Sequence, residues 1–376
     1  MTEKKPHICF VSPYITSYLY PNRGESTGGA ERQQYIIGKK LRDEGYQVSY
    51  IAFQDEHDDE EQLKGFQLVK VLPKENSINK APLVIFNLLR AIKKVDADIY
   101  YSRGNPPLCI LTHLCCRTLR KKYVYCVAND SNLNPAQLPA HHRMFKYSLF
   151  RKLYYKSIKF ADAVIAQTTK QQELLRDRFG IESTLIPNTY TIPDDSEIYP
   201  IEKRKYFLWV GSIEQEQKQP FRYLRLAETL PEIHFKMIGS KGDKAFYKKV
   251  RSAADEIPNL DFAGFVPPDE IHQYYQKSIA LVNTSNYEGF PNTFLEAWRY
   301  GIPVISLYYS MDNLLESEEI GLLSGSMSSL CSDIESIHSN ECVSTKLGIN
   351  GRNYLKQNYS ISIVFDKYER LFQKVV

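Results

Sequence analysis

The stretch 283–306, NTSNYEGFPNTFLEAWRYGIPVIS, decides the fold class. It follows the apolar run IALV (279–282) and reads as the end of a strand, a turn, a helix and the start of another strand. Small polar residues close the strand, and Glu288, Gly289, Phe290 and Pro291 form the turn. The helix is expected to open near Asn292, with the Asn side chain as its cap and Pro291 setting the entry. Phe294, Leu295 and Trp298 supply a buried stripe, Gly301 ends the helix and Pro303 opens the next strand. Strand, turn, helix and strand in close succession is the repeating unit of a parallel α/β sheet.

The same alternation extends outward to both ends of the chain. Upstream lie KYFLWVGS (205–212), HFKMIG (234–239) and LDFAGFV (260–266), each followed by a helical period. The segment 187–205 holds three prolines and no periodicity, and reads as a linker. Before it runs a second series: HICFV (7–11), a helix from about Ala30 to Glu44 stopped by Gly45, QVSYIAF, FQLVKVL (66–72), DIYYS (98–102), KYVYCVA (122–128), DAVIAQ (162–167) and STLIPN (183–188). The expectation is an α/β protein of two doubly wound domains, 1–188 and 205–358, joined by 189–204. An amphipathic C-terminal helix over 359–376 returns to the first domain. In open α/β sheets ligands sit at the carboxyl ends of the strands, near the switch point, so a cleft between two such domains is the expected site.

The bulk numbers agree with a folded protein of two domains: 376 residues, 43% hydrophobic and 24% charged. A formal charge of +4 is too small for a general nucleic-acid binder. Seven scattered cysteines form neither a disulfide framework nor a CxxC pair, which points to a reducing compartment. The opening residues read as a first strand rather than a signal peptide, and no apolar run approaches the ~18 residues of a membrane span.

The chemistry rests on the central stretch. A helix N-terminus offers unpaired N–H groups and a partial positive charge, so a diphosphate can sit there without a metal. Glu288 precedes the helix and Glu296 falls inside it, eight residues on. A carboxylate accepts hydrogen bonds from vicinal hydroxyls, so this pair can address a sugar and a ribose on either side of the phosphates.

The run EGFPNTFLEAW followed by GIPV resembles the E-x7-E motif of family 4 glycosyltransferases, retaining enzymes of the GT-B fold. The resemblance implies that Glu288 contacts the donor sugar and Glu296 the ribose, with Gly289, Phe290, Pro291 and Asn292 around the diphosphate. GGAER (28–32) is similar to the family's first loop and places Gly28 and Gly29 beside donor and acceptor. WVGSIEQEQKQP (209–220) resembles the loop in which an Arg and a Lys clamp the donor phosphates. Lys218 matches the Lys, Gly211 the glycine, and Ser212 stands at the Arg position. MIGSKG (237–242), with Gly239, and FAGFV (262–266), with Phe265 and Val266, resemble nucleotide-side loops. The first domain is the acceptor side. There Asp130, in VANDSN, either orients an acceptor hydroxyl or caps its loop, and Arg103 and Asn105 follow the strand 98–102.

The resemblance implies front-face transfer with retention, in which the leaving phosphate oxygen takes the acceptor proton. Glu288, Lys218 and Asp130 are then the catalytic candidates, and no protein nucleophile is needed. The expected donor is a nucleotide-diphosphate sugar, UDP before GDP, carrying a hexose or N-acetylhexosamine. The acceptor is a glycan or lipid-linked glycan of envelope polysaccharide or glycoconjugate synthesis, and neither metal nor other cofactor is expected.

Asp96-Ala97-Asp98 spells D-x-D but falls at the wrong end of a strand to hold a metal diphosphate, and the acidic run 55–61 reads as a solvated loop. Neither G-x-G-x-x-G nor a P-loop is present, against a dehydrogenase or ATPase. The segment 141–160, HHRMFKYSLFRKLYYKSIKF, has six Lys or Arg, interleaved aromatics and no acid. It suits either a basic outer helix face or an anionic membrane surface, the latter placing the protein at the cytoplasmic face of a membrane. Two other readings use the same fold: a nucleotide-sugar epimerase, and an inactive partner subunit, suggested by Ser212.

Overall fold

The structure is a computed structural model, which describes residues 5–20, 28–53, 63, 65–72, 81–133, 148–240 and 242–376. The chain divides into two compact units. Among the described residues, unit 1 comprises those up to Tyr20, from Gly28 to Asn188 and from Ile361 to Val376; unit 2 comprises those of Thr189–Ser360.

Unit 1 is built on a seven-stranded sheet in the order β3-β2-β1-β4-β5-β6-β7. The strands are β1 (Ile8–Val11), β2 (Val48–Phe53), β3 (Gln67–Leu72), β4 (Ile99–Arg103), β5 (Lys122–Cys126), β6 (Ala163–Ala166) and β7 (Thr184–Leu185). Every pairing is parallel. A parallel sheet is buried on both faces, which is why its strands are unbroken apolar runs. In β1, Cys9 and Val11 enter one core while Ile8 and Phe10 enter the other.

The first core is covered by α3 (Ala81–Val95), α4 (Pro106–Thr118), α5 (Ser148–Lys159) and α6 (Thr169–Phe179), after the short α1 (Thr16–Leu19). The second is covered by α2 (Gly29–Asp43) and by the C-terminal helix (Ile361–Val375), which buries Val364, Phe365, Tyr368, Leu371, Phe372 and Val375 against it. Tyr46 Oη donates to Glu369 at 2.7 Å across the same contact.

Unit 2 holds a six-stranded parallel sheet in the order β10-β9-β8-β11-β12-β13. These strands are β8 (Tyr206–Ser212), β9 (Phe235–Ser240), β10 (Leu260–Gly264), β11 (Ser278–Asn283), β12 (Val304–Ser306) and β13 (Gly321–Leu323). Its helices run α7 (Pro220–Thr229), α8 (Lys244–Asp255), α9 (His272–Gln276), α10 (Asn292–Trp298), α11 (Leu314–Ser317), α12 (Met327–Ser339) and α13 (Glu341–Asn358). The edge strand β13 has no counterpart in the sequence reading, because the three residues Gly-Leu-Leu, followed by Ser-Gly, make no strand-length apolar run. The expected strand 183–188 pairs only at Thr184–Leu185, and 260–266 pairs only as far as Gly264, whose φ of +74° turns the chain out of the sheet.

Residues 189–204 pack within unit 2. They contain two 3-10 turns, Asp195–Glu197 and Ile201–Lys203. Asp195 Oδ1 accepts from Arg352 Nη2 on α13 at 2.8 Å, and Tyr190 forms a parallel bridge with Ser360. The seven cysteines are all free thiols.

Candidate active site

In each sheet the strand order reverses direction beside one central pair, β8 and β11 in unit 2, β1 and β4 in unit 1. Helices leaving such a pair go to opposite faces, so the loops at their carboxyl ends part and leave room for a ligand.

In unit 2 those two loops meet at an ion pair. Lys218, on the loop from β8 to α7, places Nζ 2.6 Å from Glu288 Oε1, on the loop from β11 to α10. The same oxygen accepts from Ser285 Oγ at 2.7 Å, and Oε2 accepts from Gln217 Nε2 at 3.1 Å. Glu288 is only 6% exposed, and three side-chain donors, one of them a cation, keep it a fixed acceptor. Gln219, in the left-handed region at φ +53°, ends the loop, and Pro220 opens α7. Asn286 N donates to Gln217 O at 2.9 Å and fastens the loops together. The stem of Lys218 lies along Gly211: a Cβ there would stand 3.5 Å from Lys218 Cδ.

Glu296 is buried on α10. Its Oε1 accepts from Tyr190 Oη at 3.2 Å and its Oε2 from Tyr275 Oη, on α9, at 2.7 Å. Sequence reading missed Tyr190, Tyr275, Ser285 and Gln217. Tyr190 follows IPN and Ser285 ends β11, so their neighbourhood was visible. The reach of Tyr275 to a carboxylate twenty-one residues away was not.

The turn itself differs in one respect from expectation. Pro291, extended at φ −72° and ψ 108°, occupies the cap position and gives no side-chain cap bond. Asn292 is the first helical residue rather than the cap, because the proline already holds the last non-helical conformation. Tyr309 Oη donates to Gly289 O, and the Phe290 ring meets that of Tyr359 edge-on at 5.3 Å.

The remaining unit 2 candidates lie at the same carboxyl edge. Gly239 has no space for a side chain, since a Cβ would overlap Ile213. Ser212 Oγ donates to Glu214, so an acid rather than a cation adjoins the position where the resemblance expects Arg. Phe265 is half-buried and Val266 buried just past β10.

In unit 1, Gly28 is the cap of α2 and Gly29 its first residue, with no side-chain cap bond. Arg103 ends β4 and donates from Nη2 to Asn188 Oδ1 at 2.8 Å. Asn105 caps α4, its Oδ1 accepting from Leu108 N at 3.3 Å. Asp130 is buried, paired with Lys170 at 2.9 Å and held by Gln171 Nε2 at 3.0 Å. Asp96 and Asp98 face the other edge of the sheet, where Asp98 accepts from His7 N at 2.8 Å. Among the described residues no cluster of three or more His, Cys, Asp or Glu could hold a metal ion.

Comparison with known proteins agrees with this fold. Residues 27–191 match the model described as Glycosyltransferase Family 4, and residues 191–354 match Glycosyl transferases group 1. An uncharacterized glycosyltransferase of Haemophilus influenzae is 24% identical over 311 residues, 79% of this chain and 82% of its own. Among solved structures, sucrose-phosphate synthase from Thermosynechococcus elongatus superposes with a TM-score of 0.81 at 17% identity, covering 99% of both chains. HepE of Anabaena, in complex with UDP-glucose, superposes with a TM-score of 0.75 at 17% identity, covering 98% of this chain and 100% of that one. Two parallel-sheet units with this strand order, matched by family models that meet at residue 191, make the chain a GT-B glycosyltransferase of the group 1 and family 4 kind.

Proposed function

We propose that the protein transfers a hexose or N-acetylhexosamine from UDP to a glycan or lipid-linked acceptor, with retention of configuration. The observation that carries this is the buried Glu288 joined to Lys218 across the two loops of the unit 2 switch point. That pair sets an acceptor for sugar hydroxyls beside a cation for phosphate oxygens. The UDP-glucose bound by the similar HepE supports the choice of nucleotide.

In this mechanism Glu288 accepts from a hydroxyl of the donor sugar, and Glu296 from the ribose. Lys218 leaves Glu288 for the diphosphate as negative charge builds on the leaving oxygen, a contact stronger in the transition state than before it. The N–H groups opening α10 and the loop at Gly211 complete the phosphate site, and the protein supplies this charge without a metal. The bond from the anomeric carbon to the phosphate oxygen breaks as the bond to the acceptor oxygen forms on the same face. The acceptor proton goes to the departing phosphate oxygen. Asp130 orients the acceptor hydroxyl.

The direct test is thermal denaturation with UDP, GDP and ADP, on the native protein and on Glu296→Ala. A nucleotide at 100 times its dissociation constant stabilises by about 2.7 kcal/mol. The expected result is a shift with UDP that Glu296→Ala removes, and a new glycoside when UDP-sugars are supplied with acceptor. A nucleotide shift with no product would favour the inactive partner, for which Ser212 beside Glu214 is the motive; an isomerised donor would mean an epimerase.

The acceptor side adds a membrane surface to the proposal. The helices α3, α4 and α5 lie on one face of the unit 1 sheet and contain no Asp or Glu. Their outer surface exposes Leu83, Phe86, Leu114, Leu149, Leu153 and Phe160, among Arg90, Lys93, Arg117, Arg151, Lys152 and Lys156, which are also exposed. Residues 141–147 of the basic segment lie outside the described residues. No helix among the described residues is long and apolar enough to cross a membrane, so the proposed attachment is to the surface, at the cytoplasmic face. Each basic residue near an anionic surface contributes about 1 kcal/mol. Lys152→Gln with Lys156→Gln should therefore weaken binding to vesicles containing anionic phospholipid roughly 30-fold. Equal binding to neutral and anionic vesicles would refute the attachment.

A further inference from the structure

Arg352 bridges two pieces of unit 2 that meet at one carboxylate. It lies on α13 and is 6% exposed. Its Nη1 donates to Arg299 O, which closes α10. Its Nη2 donates to Pro193 O at 2.6 Å and to Asp195 Oδ1 at 2.8 Å, both in the segment 189–204. Glu296 stands three residues before Arg299, and Tyr190 three residues before Pro193. The Tyr190 phenol donates to Glu296 Oε1 at 3.2 Å, and the Arg299 guanidinium lies over the Tyr190 ring, 5.7 Å from its centre. One buried guanidinium therefore holds the backbone close to both members of that bond.

The chemistry of the side chain suits this task. The last carbonyls of a helix have no partner within it, and a cation beside them is favourable. A guanidinium presents its donors in a rigid plane, so one side chain can fix a helix end and the chain beside it together. Arg204, at the other end of the segment, grips the same helix end: its Nη1 donates to Gly301 O at 3.0 Å. Gly351 lets α13 approach Trp298 so closely that a Cβ there would overlap the indole, which fixes where Arg352 starts. Since the bonds of Arg352 run to backbone and to Asp195, its effect on a ligand passes through the groups it holds.

We infer that Arg352 is a positioning residue for nucleotide recognition. By tying Arg299 to Pro193 it sets Glu296 against Tyr190, and so the direction in which Glu296 accepts from the ribose hydroxyls. This rests on the reading of Glu296 as the ribose contact.

The test is the ratio of affinities for UDP and 2′-deoxy-UDP, titrated calorimetrically on the full chain and on Arg352→Gln, Arg352→Lys, Glu296→Ala and Leu330→Ala. Leu330 is buried in the unit 2 core, so its truncation lowers stability without touching this bridge. A well-directed acceptor favours the nucleotide with the extra hydroxyl by about threefold to tenfold. That preference is expected in the native protein and in Leu330→Ala, and is expected to vanish in Glu296→Ala. Both Arg352 variants should lose most of it, because lysine keeps the charge but not the planar fork; the lysine variant decides the matter if the glutamine variant does not fold. A native ratio in either folded Arg352 variant, with the preference gone in Glu296→Ala, overturns the positioning role and leaves the ribose reading standing. An equal loss in Leu330→Ala also overturns it, since general loosening then suffices. A native protein that does not discriminate, or a Glu296→Ala variant that still does, sinks the ribose reading and the positioning role together.

Discussion

At the scale of single residues, the two carboxylates of unit 2 are held differently, and their surroundings decide what each can do. Glu288 is bound to a mobile type of partner: a lysine can exchange a carboxylate for a phosphate at little cost, because both are oxyanions. Glu296 is held by the phenols of Tyr190 and Tyr275, which fix its direction. Removing one phenol strips a donor from a buried acceptor, a loss of about 1–3 kcal/mol. Tyr275→Phe should therefore lower the urea midpoint of unit 2 and weaken UDP binding, with Tyr190→Phe acting in the same direction through its 3.2 Å bond. Equilibrium unfolding and a UDP titration check both; unchanged UDP affinity in the double variant would mean that the direction of Glu296 does not matter to the nucleotide. The sequence showed Glu288 and Glu296 because they lie on one strand-turn-helix unit. It did not show their partners, because Gln217 and Tyr275 come from separate elements brought near only by the fold.

At the scale of elements, strands that are buried on both faces were legible and the short ones were not. Segments read as strands from sequence, such as HICFV and KYFLWVG, carry apolar runs of the length a parallel strand needs. The strand β13 is not, and its place depends on a neighbour: a Cβ on Gly321 would overlap Val304 O on β12. The cap of α10 was misplaced by one residue because Pro291 and Asn292 both favour a helix start, and only backbone angles separate them. Close packing of α13 on α10 was equally invisible, though it rests on two glycines. A Cβ at Gly348 would overlap Gly301 O, and one at Gly351 would overlap Trp298, the fully buried end of the helix that carries Glu296. Backbone cannot step aside as a flexible side chain can, so Gly348→Ala is an overpacking change worth about 1–3 kcal/mol. Its expected signature is a lower denaturation midpoint with a weaker UDP-induced shift, as α10 is pushed from its seat. A variant as stable as the native chain would show that α13 can move away freely.

At the scale of the molecule, the two-unit division followed from the broken periodicity at 187–205, and each unit then carries its own response to pH. His7 and His113, both in unit 1, are buried and have pKa values lowered, first by desolvation. For His7 the fields of Lys121 and Asp98 partly oppose one another; for His113 Arg117 adds to the lowering and Asp162 opposes it. A histidine whose folded pKa lies below the unfolded value of about 6.5 binds its proton first in the unfolded chain. Stability from it is thus complete above that value and is lost as pH falls through 6.5 toward the folded pKa. The buried tyrosines act at the other flank. Burial raises Tyr50, Tyr101, Tyr123, Tyr125 and Tyr154 in unit 1, so their contribution is present below the unfolded value of about 10 and lost above it. Unit 1 should show a plateau of stability between these limits and an acid decline that begins near pH 6.5. His113→Phe keeps an aromatic ring beside Tyr123, 5.6 Å from it in the native contact, and removes a buried Nδ1 without a partner. It should raise stability at pH 5.5 more than at pH 8, measured as the difference in urea midpoint between variant and native protein at each pH. An equal gain at both pH values would mean that His113 contributes packing alone and that the acid decline arises from His7 or from carboxylates.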